Sequence, residues 1–272
     1  MFGFNMGHQN MTYNNLISTA IKAAVKAGRA VMQIYADSAD GLTVERKEDN
    51  SPVTIADMTS HNIIAEILHP TNLPVLSEEG KQIPYQERQQ WKSFWMVDPL
   101  DGTKEFIKRN GEFTVNIALI EDNKPVLGVI YVPVSATLYA GITSEDSWKL
   151  ENVSGDEVSF EEMKTRGKKL PSRELPETLT VLESRSHRNH KTKRYIERLQ
   201  MSENPVDVLP VGSSIKLCMV AEGSAHEYRR HGPTMEWDTA AGHAIANAAG
   251  KKMMLTDRSG ELTYNKKNLV NP

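Results

Sequence analysis

The sequence predicts a layered α/β protein, and three observations lead to that class. Residues 12–36 place apolar side chains at helical spacing on one stripe, which predicts a long amphipathic helix. Residues 94–140 contain short β-branched or aromatic runs separated by turn residues, which is typical of sequential antiparallel strands. From residue 178 onward, strand and helix patterns alternate, which indicates a sheet covered by helices. We therefore expect an αβαβα sandwich with a mainly antiparallel N-terminal sheet and a C-terminal α/β subdomain.

The individual elements follow from these patterns. In the first half, a second helix is predicted to begin near Thr54 or Asp57 and to end before Pro70. The predicted strands of this half are 94–97, 113–120, 126–132 and 137–140. In the second half, the predicted strands are 178–182, 206–210, 225–229 and 252–255, and the predicted helices are 189–200, 213–221 and 239–249. The polar stretch 151–176 predicts a boundary between subdomains 1–172 and 173–272, with a ligand site at their junction.

Composition and charge restrict the class of protein further. Of the 272 residues, 39% are hydrophobic and 25% are charged, which excludes disorder along the whole chain. The 32 basic residues are balanced by 35 acidic ones, which excludes a general nucleic-acid binder. The single cysteine, Cys218, cannot form an internal disulfide and therefore indicates a reducing compartment. Its apolar neighbours predict a small buried side chain rather than a catalytic thiol.

The chain carries no pattern typical of an inserted or exported protein. No run approaches the ~18 apolar residues of a membrane span. Residues 1–11 lack the charged and apolar regions of a signal peptide. The sequence therefore predicts a cytoplasmic protein. Peripheral contact with the cytoplasmic face of the inner membrane is a secondary alternative, since no amphipathic anchor is visible.

The most informative segment is W-M-V-D-P-L-D-G-T-K-E-F at residues 95–106. An apolar strand leads into Asp98 and Asp101, whose spacing across a turn brings both carboxylates to one side. With the Leu100 carbonyl they form an all-oxygen half-shell, which suits Mg²⁺. Gly102 and Thr103 lead into a helical turn whose N–H groups are suited to a phosphate oxygen. The alternative is an ordinary turn, because Asp-Pro and Asp-Gly are common turn dipeptides.

Three further acidic segments lie where a strand ends or a helix begins. L-S-E-E-G presents Glu78 and Glu79 after a predicted strand, or forms a solvated loop. D-N-S-P-V-T-I-A-D contains Thr54 and Asp57, either of which could simply cap the following helix. E-W-D-T-A-A-G places Asp238 at the start of an Ala-rich helix, as an N-cap or as a ligand. Such positions are where α/β proteins gather functional groups.

Taken in order, these segments resemble the motifs of one family. D-x-S-P-V-T-x-A-D, S-E-E, D-P-L-D-G-T-K-E-F and W-D-T-A-A-G are similar to those of the inositol monophosphatase superfamily of metal-dependent, lithium-sensitive phosphatases. K-E-F-I-K-R-N-G-E-F-T-V-N-I-A-L-I and G-P-T-M-E-W-D-T-A-A-G-H resemble its bacterial 3'(2'),5'-bisphosphate nucleotidases. The likeness extends over residues 17–272 except for 151–176.

The resemblance implies a metal centre in the N-terminal half with two magnesium ions, and it leaves a third ion near Asp57 open. The implied metal ligands are Glu78, Asp98, Asp101, Asp238 and the Leu100 carbonyl. Asp57 and Thr103 are expected to orient and deprotonate the attacking water, and Glu79 to support the first metal. In-line attack of that water would release phosphate without a covalent intermediate.

The C-terminal half is expected to determine substrate specificity. Gly212-Ser213-Ser214 opens a predicted helix and forms either an anion cradle, with Lys216 adding charge, or an ordinary N-cap. Arg229 and Arg230 point to opposite sides if they lie on a strand, so only one should contact the substrate. The substrate contacts implied by the resemblance are His187, Ser213, Lys216 and Arg230, together with Leu100, Asp101, Gly102, Thr103 and Asp238.

The implied reaction is the hydrolysis of adenosine 3',5'-bisphosphate to AMP and phosphate, with 3'-phosphoadenylyl sulfate as a second substrate. This nucleotide is a by-product of sulfate activation, so the implied role is its recycling. Lithium is expected to inhibit by replacing one Mg²⁺. The alternatives are an inositol or sugar-phosphate phosphatase of the same superfamily and, more remotely, a non-catalytic nucleotide sensor. The chain is expected to act as a monomer or homodimer.

Overall fold

A seven-stranded sheet lies at the centre of the fold, in a computed structural model that describes residues 11–37, 44–46, 52–155, 157–187, 189–202 and 205–272. Residues 1–10, part of the segment considered for a signal peptide, and Asp49 to Ser51 of the first acidic motif lie outside the described residues. A separate antiparallel pair joins β1 (Val44–Arg46) to β2 (Pro52–Thr54). Among the described residues, no helix has both the length and the apolarity needed to cross a bilayer.

The large sheet runs in chain order from β3 to β9. Its strands are β3 (Val75–Ser77), β4 (Ser93–Asp101), β5 (Thr114–Glu121), β6 (Lys124–Val132), β7 (Thr137–Ile142), β8 (Ser147–Leu150) and β9 (Lys168–Lys169). The pair β3–β4 is parallel and every other neighbouring pair is antiparallel. The four strands predicted between residues 94 and 140 are confirmed, and so is the strand predicted before Glu78, which is β3. The sequence analysis missed β8 and β9.

Two helices cover one face of this sheet. Helix α1 (Tyr13–Asp37) buries the predicted stripe, with Ile17 and Ile21 fully inaccessible to solvent. Helix α2 (Ile55–Leu68) packs beside it, and a 3₁₀ turn containing Pro70 follows. Proline ends a helix because it has no N–H to donate. Three shorter helices connect the strands, namely α3 (Tyr85–Arg88), α4 (Thr103–Ile107) and α5 (Phe160–Arg166).

A small parallel sheet and three helices complete the other side. Its strands are β10 (Leu179–Ser184), β11 (Val206–Val211) and β12 (Glu227–Tyr228), in the order β11-β10-β12. The helices are α6 (His190–Ser202), α7 (Ile215–Glu222) and α8 (Glu236–Ala248). Because β11 and β12 lie on opposite sides of β10, right-handed crossovers place α6 and α7 on opposite faces. The predicted αβαβα layering is confirmed, with α8 packed on the large sheet and α7 in contact with both α8 and β12.

Helix α8 covers the second face of the large sheet. It approaches β6 so closely that a Cβ atom on Gly128 would lie 2.2 Å from the Ala241 carbonyl oxygen, which explains the glycine there. Cys218 of α7 is buried in the hydrophobic cluster that α7 and α8 form with the large sheet, as predicted. The last helix of the chain therefore packs on the N-terminal sheet. The subdomain boundary at 172/173 stays a prediction.

Several predicted boundaries are wrong. No strand forms at 252–255, where Met254 makes only an isolated bridge to Glu261 because no strand lies beside this segment. Strand 225–229 shortens to the two residues of β12 that pair with β10. Helix α8 begins at Glu236 rather than at residue 239. The stretch 151–176 is more than a polar linker, since it contributes α5 and β9 and buries Phe160 and Met163.

Candidate active site

The first two acids meet because β3 and β4 are parallel neighbours. Ser77 pairs with Val97, and the Glu78 N–H donates to the Val97 carbonyl at 3.1 Å. Glu78 therefore lies beside Asp98 at one edge of the sheet. The Asp98 side chain is almost completely buried, and its Oδ1 accepts a hydrogen bond from the Leu100 N–H at 3.1 Å. The D-P-L-D segment thus continues as strand and forms a bulge between Asp98 and Asp101.

The far end of the chain supplies the third acid of this cluster. Asp238 occupies the first turn of α8, where its Oδ2 accepts a hydrogen bond from the Met235 N–H at 2.9 Å. It is therefore the third residue of the helix rather than its N-cap. One carboxylate oxygen each from Glu78, Asp98 and Asp238 lie within 4.8 Å of one another. We call these three residues the acidic trio.

The electrostatics of the acidic trio fit a divalent cation. Burial raises the pKa of Asp98 well above its usual range, and the charges of Glu78, Asp101, Asp238 and Asp57 raise it further. Burial, followed by the charge of Asp101, raises the pKa of Asp238 to about 8. Carboxylates this close cannot all remain ionised without a counter-charge. Oxygen ligands of this kind are those that Mg²⁺ takes in proteins, so the donor set suits the metal that the sequence predicts.

Asp101 lies beside the acidic trio and is bound to α7. Its Oδ2 accepts hydrogen bonds from the Ser214 N–H at 2.6 Å and from the Ser214 hydroxyl at 2.8 Å. The Ser214 hydroxyl is also 2.8 Å from the Asp238 carbonyl. Asp101 thus connects the metal segment to the start of α7. Its predicted role as a metal ligand stays a prediction, as does that of the Leu100 carbonyl.

Asp57 and Thr103 form a direct pair at the rim of this centre. The Thr103 hydroxyl is 3.0 Å from Asp57 Oδ1 and 3.3 Å from the Leu100 carbonyl. The other oxygen, Asp57 Oδ2, accepts from the Thr54 N–H and the Thr54 hydroxyl, both at 2.7 Å. Asp57 therefore closes the capping box of α2 with one oxygen and faces Thr103 with the other. The capping interpretation is therefore correct, and the role of Asp57 toward the attacking water stays a prediction.

A cleft with a volume of about 390 Å³ joins the acidic trio to the C-terminal half. Gly102 lies in its wall with a φ of +93°, a conformation that favours glycine. The predicted residues that line this cleft are Glu78, Asp98, Leu100, Asp101, Gly102, Thr103, His187, Ser213, Lys216, Arg230 and Asp238. Asp57 lies behind Thr103, and Glu79 is not among the lining residues. The supporting role of Glu79 therefore stays a prediction.

The C-terminal half contributes basic side chains to the lining of this cleft, and we call Lys216, His187 and Arg230 the basic wall. Lys216 is buried, and its Nζ donates to the Val211 carbonyl at 3.1 Å and to the Ser213 carbonyl. Burial lowers the pKa of Lys216 to about 8. His187 Nε2 lies 3.0 Å from Lys104 Nζ, and burial together with nearby cations lowers the pKa of His187 to about 4. His187 is thus neutral near pH 7 and able to hydrogen-bond without adding charge.

Arg229 and Arg230 take different positions. Arg230 lines the cleft and donates to the Gly232 carbonyl at 3.2 Å and the Pro233 carbonyl at 3.0 Å. Arg229 instead stacks on the Tyr195 ring, with its guanidinium carbon 4.2 Å from the ring centre. Of the two arginines, Arg230 is therefore the one placed to meet a ligand in this cleft.

Among the cleft residues that were not selected as substrate contacts, two are informative. Ser214 is the buried partner of Asp101, although Ser213 was selected from the Gly-Ser-Ser run. Tyr228 lines the cleft two residues before Arg230, and its ring lies 5.2 Å from Lys216 Nζ. Alternation along β12 would have placed Tyr228 on the same side as Arg230. No comparable local signal distinguished Ser214 from Ser213.

Comparison with known proteins agrees with this arrangement. Residues 12–272 match the model of the inositol monophosphatase family. The chain belongs to the inositol monophosphatase family. A relative from Salmonella typhimurium, named 3'(2'),5'-bisphosphate nucleotidase CysQ, is 46% identical over 237 residues, which are 86% of this chain and 88% of the relative. A Buchnera aphidicola protein of the same name is 39% identical over 94% of this chain and 89% of its own length.

Two solved structures have a similar fold. The crystal structure of CysQ from Bacteroides thetaiotaomicron, described as a bacterial member of that family, matches with a TM-score of 0.89 and 45% identity. The match covers 97% of each chain. The extragenic suppressor protein SuhB from Bartonella henselae matches with a TM-score of 0.67 and 26% identity, over 86% of this chain and 85% of the other. The fold predicted from the motifs is confirmed.

Proposed function

We propose that this chain is a Mg²⁺-dependent 3'(2'),5'-bisphosphate nucleotidase that removes the 3'-phosphate of adenosine 3',5'-bisphosphate. One observation carries the proposal, namely that a single cleft is lined both by the acidic trio and by Lys216, His187 and Arg230. A substrate with two phosphates matches both sets of side chains. The relatives named as such nucleotidases support it at up to 46% identity. The products are AMP and inorganic phosphate.

In the proposed mechanism the acidic trio would hold the metal, and the neighbouring Thr103 and Asp57 would move one proton. Glu78, Asp98 and Asp238 would hold Mg²⁺, with Asp101 and the Leu100 carbonyl completing the donor set. When bound, the metal supplies positive charge that stabilises the phosphoryl group during transfer. Thr103 Oγ1 accepts the proton of the attacking water as its own proton passes to Asp57 Oδ1, 3.0 Å away. The oxygen–phosphorus bond to the water forms and the bond to the 3'-oxygen breaks. The 3'-oxygen takes up a proton from solvent water to give AMP, and Asp57 returns its proton to solvent.

The basic wall binds the part of the substrate that does not react. Lys216 and Arg230 supply charge for the second phosphate, and neutral His187 contacts the nucleoside. Ser213 has a φ of 52°, and its hydroxyl lies 2.7 Å from the Thr114 hydroxyl, which fixes its position in the wall. Binding energy from this half orients the 3'-phosphate over the acidic trio.

Phosphate release from a panel of substrates tests the proposal. The protein with Mg²⁺ is assayed on adenosine 3',5'-bisphosphate, 3'-phosphoadenylyl sulfate, inositol 1-phosphate and fructose 1,6-bisphosphate. We expect the highest kcat/KM on the first nucleotide and loss of activity with EDTA. Millimolar lithium should lower the rate, as in the wider family that the motifs resemble.

The same panel separates the alternatives. A higher kcat/KM on inositol 1-phosphate or fructose 1,6-bisphosphate would contradict the nucleotidase assignment. The protein would then still be a phosphatase, but one with a different substrate. Binding of the nucleotide without phosphate release would indicate a sensor. Asp98→Asn removes one member of the acidic trio, and Asp146→Asn, which breaks an exposed ion pair to Lys169 at the far end of the sheet, is the matched control.

A further inference from the structure

Glu112, which is not among the residues lining the cleft, lies where three chain segments meet just before β5. A Cβ atom on Gly212 would lie 2.8 Å from both the Cβ atom and the carbonyl oxygen of Glu112. A Cβ atom on Gly102 would lie 3.0 Å from the same carbonyl oxygen. The glycines thus allow the segment after β4 and the segment after β11 to close on Glu112. Glu112 therefore lies against a segment from each half of the site.

The Glu112 carboxylate binds the ends of both β10 and β11. Its Oε1 and Oε2 accept from Arg185 Nη2 and Nε, each at 2.6 Å, which is a bidentate pair. Oε2 also accepts from the Gly212 N–H at 2.7 Å. Arg185 Nη2 donates in turn to the Pro210 carbonyl at 2.6 Å. A single side chain of the N-terminal sheet therefore holds two parallel strands of the small sheet at their carboxyl ends.

Those strand ends carry the basic wall. Arg185 lies two residues before His187, and Gly212 is followed by Ser213 and, within α7, Lys216. A second contact supports the first, since Ser186 bonds to Glu105 and to Lys108 Nζ, the latter at 2.9 Å. Both contacts join the α4–β5 segment, next to Thr103, to the loop that carries His187.

The ion pair between Arg185 and Glu112 is expected to position the strand ends rather than to stabilise the fold. The side chains of Arg185 and Glu112 are 41% and 23% exposed, and partly exposed ion pairs contribute little to folding stability. A bidentate guanidinium–carboxylate pair nevertheless restricts geometry strongly. The backbone N–H of Gly212 adds a third bond that depends on the same carboxylate. Loss of the Glu112 carboxylate should therefore make the distance between the acidic trio and the basic wall more variable, while it lowers the free energy of unfolding only slightly.

We propose that Glu112 is a positioning residue that fixes the distance between the acidic trio and the basic wall and so selects substrates that span both. This inference rests on the proposed function for its substrate. It predicts that replacing Glu112 weakens the binding of a nucleotide with two phosphates. The binding of a small phosphate monoester, which contacts only the acidic trio, should hardly change.

Glu112→Gln tests the inference by a comparison of two substrates. The amide keeps one acceptor for Gly212 but loses the charged bidentate pair with Arg185. We expect KM for adenosine 3',5'-bisphosphate to rise about tenfold, with kcat changed less than about twofold, because the lost contacts act on binding. Hydrolysis of p-nitrophenyl phosphate should stay within about twofold of the unchanged protein. Glu112→Asp, which keeps the charge, should recover part of the KM.

The controls keep this result separate from the proposed function. Glu157→Gln breaks an ion pair to Lys22, and neither of these residues lines the cleft. This variant should not change the kinetics of either substrate. Equal losses on both substrates, or no change in KM, would overturn the positioning role. Failure of the unchanged protein on the bisphosphate would instead contradict the proposed function. In that case amide hydrogen exchange of residues 184–187 and 209–214, without substrate, still decides: faster exchange in Glu112→Gln supports the inference, and unchanged exchange overturns it.

Discussion

At the scale of single residues, Asp101 connects the acidic trio to the start of α7. Its Oδ2 binds both the N–H and the hydroxyl of Ser214, while its negative charge raises the pKa of Asp98 and of Asp238. One carboxylate thereby has a structural contact and an electrostatic effect. The structural contact and the electrostatic effect can be separated by a substitution that removes the charge of Asp101 and keeps the size of its side chain.

Asp101→Asn should abolish turnover and leave the fold intact. The amide oxygen can still accept from Ser214, but the charge that helps to hold the metal is lost, so kcat should fall by more than about 100-fold. Phosphate release and thermal unfolding measure the two effects. Asp122→Asn, at an exposed turn with a φ of 45° that Asn also adopts, is the matched control. A near-normal rate in Asp101→Asn would remove this residue from the metal site.

Lys216 should make substrate binding depend on pH. Burial lowers its pKa to about 8, so the side chain loses its charge as the pH rises through that value. KM for the bisphosphate should therefore rise between about pH 7 and pH 9, whereas the substrate phosphates are already ionised there. Initial rates over that range measure the effect. Lys216→Met should have a high KM without this rise, and the same pH profile in both proteins would assign the titration to another group.

At the scale of elements, the beginning of α2 is also part of the active site. The capping box joins Thr54 to Asp57 through one carboxylate oxygen, and the other oxygen of Asp57 accepts from Thr103. The helix end is thus stabilised by the same carboxylate that is proposed to receive a proton. Any loss of the cap should affect both stability and catalysis.

Thr54→Ala tests this double role. It removes the hydroxyl bonds to Asp57 and to the Ala56 N–H, which should lower the free energy of unfolding by about 1 kcal/mol. It should also lower kcat, because Asp57 is held less firmly toward Thr103. Ser159→Ala removes the N-cap of α5 and should cost similar stability with no change in kcat. Equal kcat values in the two variants would show that the cap is only structural.

At the scale of the whole molecule, the metal site opposes folding until a cation binds. Acids from β4, from the segment after β3 and from α8 converge in a buried place, and burial, followed by the charges of neighbouring acids, raises the pKa values of Asp98 and Asp238. A metal that binds only the folded chain stabilises it by mass action. Stability, metal content and pH are therefore coupled in this protein.

Metal-free protein should become less stable as the pH rises from about 5 to about 8. The pKa of Asp238 is about 8 in the folded chain and near its ordinary value in the unfolded chain, so the folded state binds more protons in that range and stability falls as they are lost. Thermal unfolding in EDTA measures this slope. Saturating Mg²⁺ should raise the melting temperature most at the upper pH, and Asp238→Asn should reduce the slope. A slope that persists unchanged in Asp238→Asn would contradict the assignment.

The elements were predictable where the signal is local. The stripe of α1 and the β-branched runs of β4 to β7 follow from periodicity, and Pro70 marks the end of α2. Segment 252–255 has the composition of a strand but no neighbour to pair with, and composition alone cannot supply one. The start of α8 was placed too late because Asp238 caps from the third helical position, which an N-cap pattern does not reveal.

By itself the sequence determined the family, the layered fold and the acids that are proposed to carry the chemistry, because ordered motifs at strand ends and helix starts are local signals. Only the tertiary structure decided which of those acids meet. It placed Glu78, Asp98 and Asp238 together, bound Asp101 to Ser214, and turned Arg230 rather than Arg229 into the cleft. The physical reason is that these contacts join residues far apart in the chain, and their distances depend on how the sheets and helices pack.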